Sequence, residues 1–354
     1  MSRMKYVILN VVRNLSYSVA LCSLLFMLLM ASCEHRPLIE PTTRVKIRLV
    51  TEGIHNVTCD IYNESVKRPE ITSNMMRIFL YDATGQHLLT QMFTNEKTVD
   101  DQGCEVLSRL ISLPSGDYRL LSYNFDLDGT YVADEGKYDR IYAYTHEIPS
   151  SLYSRFGSRA DNVGPVYYEP EHVMVARKTD LKVLPDKVLA EVEMDAHTVV
   201  HTYYIQIRIS GVGTLASKAN AQAILSGLSK ASMLGEGKPV EEPVSIYFEM
   251  QKGIDPKIED ENQHVLCAVF NTFGRLEEVP SDLKITITVL ARNGETFQKE
   301  VDMTPIFQTE DARLRHWLLI DEVWEIPEIM DEEGQGGFKP KVDAWEDVEE
   351  TLPI

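Results

Sequence analysis

The sequence predicts an all-β protein of two tandem β-sandwich domains carried behind a secretion signal. Three observations lead there. Apolar residues recur at every second position in many short runs, Gly- and Asn-containing turns separate those runs, and an apolar stretch near the N-terminus stops at a cysteine.

The N-terminal stretch comes first. Arg3, Lys5 and Arg13 are the only charges before Cys33. The apolar run from Val19 to Met30, interrupted by Cys22 and Ser23, ends in Met30-Ala31-Ser32-Cys33. A basic start, a short apolar run and a small-residue cleavage site are the layout of a secretory signal. The run falls short of the roughly 20 residues that a membrane-spanning helix needs. Met30 to Cys33 resemble a bacterial lipobox, in which cleavage before the cysteine leaves that residue to carry acyl chains, palmitate among them. Met stands where Leu is usual. The competing readings are an uncleaved membrane anchor and an ordinary signal beside an incidental cysteine. The expected layout is a signal at 1–32, a lipidated linker at 33–40, sandwiches at 41–185 and 186–329, and an acidic tail at 330–354.

Charge narrows the partners. Removing residues 1–32 takes away three positive charges and no acid, so the net charge moves from −19 to −22. So acidic a body argues against nucleic acid and against electrostatic binding to anionic lipid. Attachment to a membrane would therefore rest on lipid, and two or more acyl chains hold stably where one is marginal. Beyond Cys33 the mature chain keeps Cys59, Cys104 and Cys267. Three thiols cannot all pair within one chain, which leaves a Cys59–Cys104 disulfide or buried thiols. No Cys-x-x-Cys spacing supports structural zinc.

Strand signals fill the rest. Val45, Ile47 and Leu49 alternate with Lys46, Arg48 and Val50. Met76–Tyr81 and His87–Phe93 flank Asp82-Ala83-Thr84-Gly85, which reads as a hairpin. The turn Leu113-Pro114-Ser115-Gly116 leads into a strand at Asp117–Tyr123, and Arg140–Thr145 reads as another. In the second half Tyr203, Ile205, Ile207 and Ile209 face one way and Tyr204, Gln206 and Arg208 the other, the period of a half-buried strand. Leu283, Ile285, Ile287 and Val289 repeat the pattern before an Asn293-Gly294 turn. Trp317–Glu322 is the last long strand. Leu215–Leu234 has a composition that suits either a helix or a strand with flanking loops. In the tail, Phe338, Val342, Ala344, Trp345 and Val348 sit among charges. Either that tail is solvated, or it docks as an extra strand, and Trp345 favours docking.

The sequence points to no enzyme: it holds no Gly-x-Ser-x-Gly elbow, phosphate loop or Gly-x-Gly-x-x-Gly. His197 and His201 share one face of a strand, which suits a metal less well than ordinary surface or core histidines. Asn124, Asp126, Asp128, Gly129 and Glu135 fit positions 1, 3, 5, 6 and 12 of a calcium loop. The loop follows a strand rather than a helix, and Asp is preferred at its first position. The other reading is a plain acidic loop.

Several stretches, in order, also resemble one family. Leu113-Pro114-Ser115-Gly116-Asp117-Tyr118 through Tyr123-Asn124, Glu169-Pro170-Glu171-His172, Thr202–Ile209, Ala223–Leu228 and Phe270-Asn271-Thr272-Phe273-Gly274 are similar to segments of the DUF5119 group of Bacteroidales lipoproteins. That group is itself similar to the FimB/Mfa2 fimbrial anchor and accessory proteins. The resemblance implies two transthyretin-like β-sandwiches, a structural role in a fimbrium, an outer-membrane location at the cell surface, and association with pilus subunits by β-strand addition. It also implies that polymerising subunits lose their first strand to cleavage after a basic residue, for which Arg44 is the candidate, while an anchor keeps both strand and lipid. Glu34-His35-Arg36-Pro37 offers only one acid as a surface-export signal. The alternative is a glycan-binding surface lipoprotein of a nutrient-uptake system, with Tyr142, Tyr144, Tyr167 and Tyr168 as the aromatics to stack on sugars.

Overall fold

Period-two patterning yields strands almost wherever it occurs. The computed structural model describes residues 42–327 apart from 52–58, 65, 68–70, 72–74, 94–96, 154–163, 186–188, 212–214, 216–220, 256, 258–263 and 277–281. The signal, Cys33 with its linker, and the acidic tail lie outside the described residues.

The chain opens with β1 (Thr42–Val50), β2 (Met76–Asp82), β3 (His87–Met92), β4 (Thr98–Val99), β5 (Glu105–Pro114) and β6 (Gly116–Asn124). It continues through β7 (Thr130–Ala133), β8 (Tyr142–Thr145), α1 (Ser150–Tyr153), β9 (Val166–Tyr167), β10 (Met174–Val183), β11 (Leu189–Asp195) and β12 (His197–Thr198). Next come β13 (His201–Ser210), β14 (Ala221–Ser229), β15 (Ala231–Met233), β16 (Lys238–Pro239), β17 (Pro243–Gly253) and β18 (His264–Thr272). The last elements are β19 (Lys284–Leu290), β20 (Thr296–Asp302), α2 (Thr304–Phe307), α3 (Glu310–Leu314) and β21 (Trp317–Glu325). The protein is all-β, as the sequence predicts.

The strands form sheets ordered β11-β1-β5-β4, β12-β10-β6-β2-β3, β20-β19-β14-β17-β18-β13-β21 with β9 beside β17, and β16-β15-β8-β7. Two compact units are distinguished. Among the described residues, one comprises those of 42–46, 110–116 and 182–191, and the other those of 47–109, 117–181 and 192–327. Within the first, the Thr43 hydroxyl donates to the Leu184 carbonyl at 2.9 Å and Lys46 pairs with Glu191 at 3.5 Å.

In the larger unit the β2–β3 hairpin forms with Phe79 opposite Thr90. Its turn is set by Asp82, whose carboxylate accepts from the Thr84 and Gln86 amides, and by Gly85 at φ +80°, a conformation glycine adopts without strain. The Asn293-Gly294 turn likewise joins β19 to β20 in register, Thr288 opposite Gln298. Of the two readings for Leu215–Leu234, the strand is found, as β14.

The main core lies on the Ile205, Ile207 and Ile209 face of β13, where Phe248 and Phe270 stack with ring centroids 4.3 Å apart. The other face departs from the half-buried expectation. Tyr204 and Gln206 are buried there too, because Cys59, Tyr62 and Val66 from the segment after β1 pack over them. Burial of polar groups requires partners. The Tyr204 hydroxyl donates to Gln206 at 2.7 Å, the Gln206 amide donates to Asp255 at 2.8 Å, and the Asn63 amide donates to the Ile254 carbonyl at 2.8 Å. Cys59 and Cys267 are buried in this cluster.

β21 pairs in parallel with β13, a non-local match that alternation alone does not encode. α3 starts at Thr309, whose side-chain oxygen accepts from the Ala312 amide, with Glu310 and Asp311 favourable at the positive end. The small sheet joins distant parts of the chain, since β8 pairs with β15 through Ala143 opposite Ser232.

Phe270→Ala, which empties one side of the Phe248 stack, is expected to cost about 3–5 kcal/mol. Urea unfolding followed by fluorescence measures it.

Candidate functional site

The four-residue segment between β9 and β10, Glu169, Pro170, Glu171 and His172, gathers several long-range polar contacts. The sequence marks them only as a family-like segment. The Glu169 carboxylate accepts the Asn271 amide of β18 at 2.7 Å. Glu171 accepts the backbone amides of Asp128, Gly129 and Thr130 at 3.2, 2.6 and 3.0 Å, and its own amide donates to the Thr130 hydroxyl at 2.7 Å. Successive amides turned towards one point form an anion cradle. The His172 ring sits between the Thr198 and Thr202 hydroxyls, each 3.1 Å from a ring nitrogen. Asn124 closes the group, its amide donating to the His172 carbonyl at 3.1 Å and its carbonyl accepting the Met174 amide at 2.8 Å.

This arrangement describes the loop singled out for calcium. Asn124 is buried and spends its side chain on the backbone of residues 172 and 174. Glu135 accepts a short hydrogen bond from the Tyr123 hydroxyl and lies 3.8 Å from Arg77. Asp126 and Asp128 share the loop, Asp128 exposed. The middle of the loop turns amides, not carboxylates, towards Glu171. Among the described residues no group of three or more His, Cys, Asp and Glu side chains is placed to hold a metal.

Burial tunes the ionisable groups. It raises Glu169 from the ordinary 4.5 to about 7, partly offset by the Asn271 amide. It lowers His172 from 6.5 to about 4. The Tyr123 hydroxyl is pushed up by burial and then by its bond to Glu135. Glu169 lines a cavity of about 450 Å³ together with Glu249, Gln251, Cys267 and Asn271.

The other sequence candidates fall elsewhere. Arg44 is exposed within β1, between buried Thr43 and Val45, and β1 lies inside its sheet between β11 and β5. His197 and His201 fall on different strands. His201 instead stacks on His316 at 6.0 Å, in a second cavity of about 510 Å³. Tyr142 and Tyr144 come together with centroids 5.6 Å apart. Tyr167 instead packs against the main core with the Lys230 ammonium over its ring, and Tyr168 is exposed. Two aromatics that the sequence did not mark, Tyr131 and His146, join the first pair.

The profile of the family described as "Domain of unknown function (DUF5119)" matches residues 32–249. The chain belongs to the DUF5119 family. A Bacteroides ovatus protein named "Putative fimbrium anchoring subunit Fim4B" is 23% identical over 255 residues, covering 72% of this chain. The match spans 64% of that relative's own length. A solved structure described as a "putative adhesin from Bacteroides ovatus" superposes with a TM-score of 0.56 at 16% identity, over 84% of this chain and 98% of that one. At that identity the likeness speaks to fold. "The fimbrial anchor protein Mfa2 from Porphyromonas gingivalis" gives a TM-score of 0.45 at 12% identity, over 80% of this chain and 90% of that one.

Half-buried Glu169 and buried His172 give this DUF5119 protein an opposed pH response. Glu169 stays protonated in the fold while the unfolded chain ionises, so its contribution falls as pH rises from 4.5 to about 7. His172 stays neutral while the unfolded chain protonates, so its contribution falls as pH drops from 6.5 to about 4. Glu169→Gln keeps an acceptor for Asn271 and removes the first slope. The variant is expected to gain about 2–3 kcal/mol over the wild type at pH 8 and to match it near pH 4. Denaturant titrations at the two pH values check this.

Proposed function

We propose that the protein is an outer-membrane lipoprotein that holds a fimbrium, an anchor or accessory subunit tethered through Cys33 and joined to pilus subunits by β-strand addition. One observation carries the anchor reading over that of a polymerising subunit. β1 occupies an inner place in its sheet, with Val45, Ile47 and Leu49 each 0% exposed. Each such side chain contributes about 1.5–3 kcal/mol of burial. Cleavage after Arg44 would require a paired strand to leave its sheet before a protease could bind it extended. A chain left uncut ahead of β1 keeps the lipidated cysteine. The relative's printed name supports the same reading, and the role is structural rather than enzymatic.

The edge for a partner strand is β3. It ends the β12-β10-β6-β2-β3 sheet, and its first residues meet the 136–137 loop through the His87 amide and the Gly136 carbonyl. Beyond that contact, Leu88 and Met92 are 50% and 55% exposed on one face. Unpaired backbone flanked by exposed apolar side chains is the template for strand addition. Lysines on an edge strand discourage such pairing.

Two experiments test this. Mass spectrometry of the mature protein is expected to find acylated Cys33 as the first residue, and Cys33→Ser is expected to release the protein and its fimbriae from the membrane. A mature chain beginning at Val45 would overturn the anchor reading. The Leu88→Lys, Met92→Lys double variant is expected to keep its melting temperature and weaken pilus-subunit association by about tenfold or more in pull-down titrations. Unchanged association would remove β3 as the edge.

A further inference from the structure

The outer face of the small β16-β15-β8-β7 sheet carries a row of aromatic rings that the fold does not use. Along β8 the side chains of Ile141, Ala143 and Thr145 are buried, while those of Tyr142 and Tyr144 and of His146 just beyond it alternate to the outside. Tyr131 of β7 stands directly opposite Tyr144. The rings form a continuous row: Tyr142 to Tyr144 at 5.6 Å, Tyr144 to Tyr131 at 5.8 Å, and Tyr131 to His146 at 4.4 Å. Ala133 and Met233 lie at the positions paired with Tyr142, and Tyr131 and Ala231 at those paired with Tyr144, so each ring has one small neighbour that leaves part of its face open.

We propose that this row binds neutral glycans, stacking successive pyranose rings on Tyr142, Tyr144 and Tyr131. Three features select a sugar. The faces are apolar but each tyrosine ends in a hydroxyl, and those of Tyr142 and Tyr144 make no hydrogen bond within the described residues, so they can meet sugar hydroxyls. The rings recur along a strand at a spacing on the order of one sugar residue, which suits a repeating polymer. Among the described residues, neither the main core nor the cluster around Ile141 and Ala143 beneath this sheet includes them, so their outer faces are left for a ligand. Neutrality follows from charge. Exposed Asp128 and Glu147 lie at the His146 end of the row, and the chain as a whole carries −19, both unfavourable to acidic glycans.

The test uses the full-length chain in detergent against an array of neutral hexose oligosaccharides, followed by titration of the best binder. Tyr144→Ala and Tyr142→Ala, both on the outer face, are expected to keep the wild-type melting temperature and to weaken binding about tenfold each. Tyr144→Phe is expected to retain most of it. Binding untouched by either alanine, or no binding to any array member, would overturn the proposal. Tyr144-dependent capture of a pilus subunit without glycan binding would overturn it too, making the row a protein-docking surface instead.

Discussion

The polar clasp at Glu169–His172, in which His172 and its partners Asn124 and Thr202 are buried together with Thr130, is the contact on which the arrangement of the larger unit depends. A carboxylate, an imidazole and a second carboxylate are each matched to backbone amides or hydroxyls from the β6–β7 loop, β12, β13 and β18. An unmatched buried group costs about 1–3 kcal/mol, more if charged, so these partners cannot drift apart independently. Removal of one member would strand several others. The clasp therefore acts as a unit, and it fixes the loop leading to the aromatic row on β7 and β8.

What the sequence conveyed is mostly what is local. The alternation of Ile205, Ile207 and Ile209, the Asn293-Gly294 turn and the Asp82–Gly85 turn each depend on neighbours within a few residues, and each appears as expected. Burial of Tyr204 and Gln206 was hidden because it depends on Cys59, Tyr62 and Val66, well over a hundred residues away. The parallel pairing of β21 with β13 was hidden for the same reason. Short helices such as α3 are faint in a sequence because one capped turn leaves no period to detect, although Thr309-Glu310-Asp311 carries the N-terminal signal.

The loop from Asn124 to Glu135 combines two kinds of polar signal. Its carboxylates and glycine have the spacing of a cation site, yet its centre presents amides to Glu171. A glycine before a strand serves either purpose, and which one depends on a residue more than forty positions downstream. The tyrosines on β8 were legible as alternating residues. Tyr131 was not, since only strand pairing brings it opposite Tyr144.

The place of β1 has a mechanical consequence. Tension applied to the chain before Thr42 enters the fold through a strand held on both sides, by β11 and β5. Pulled along its axis, such a strand loads its two ladders in shear, so many hydrogen bonds and the burial of Val45, Ile47 and Leu49 must give way together. An edge strand pulled the same way would have one ladder instead of two to resist the load. Forced unfolding is set by the rate of that first rupture. A tether entering here is suited to sustained drag.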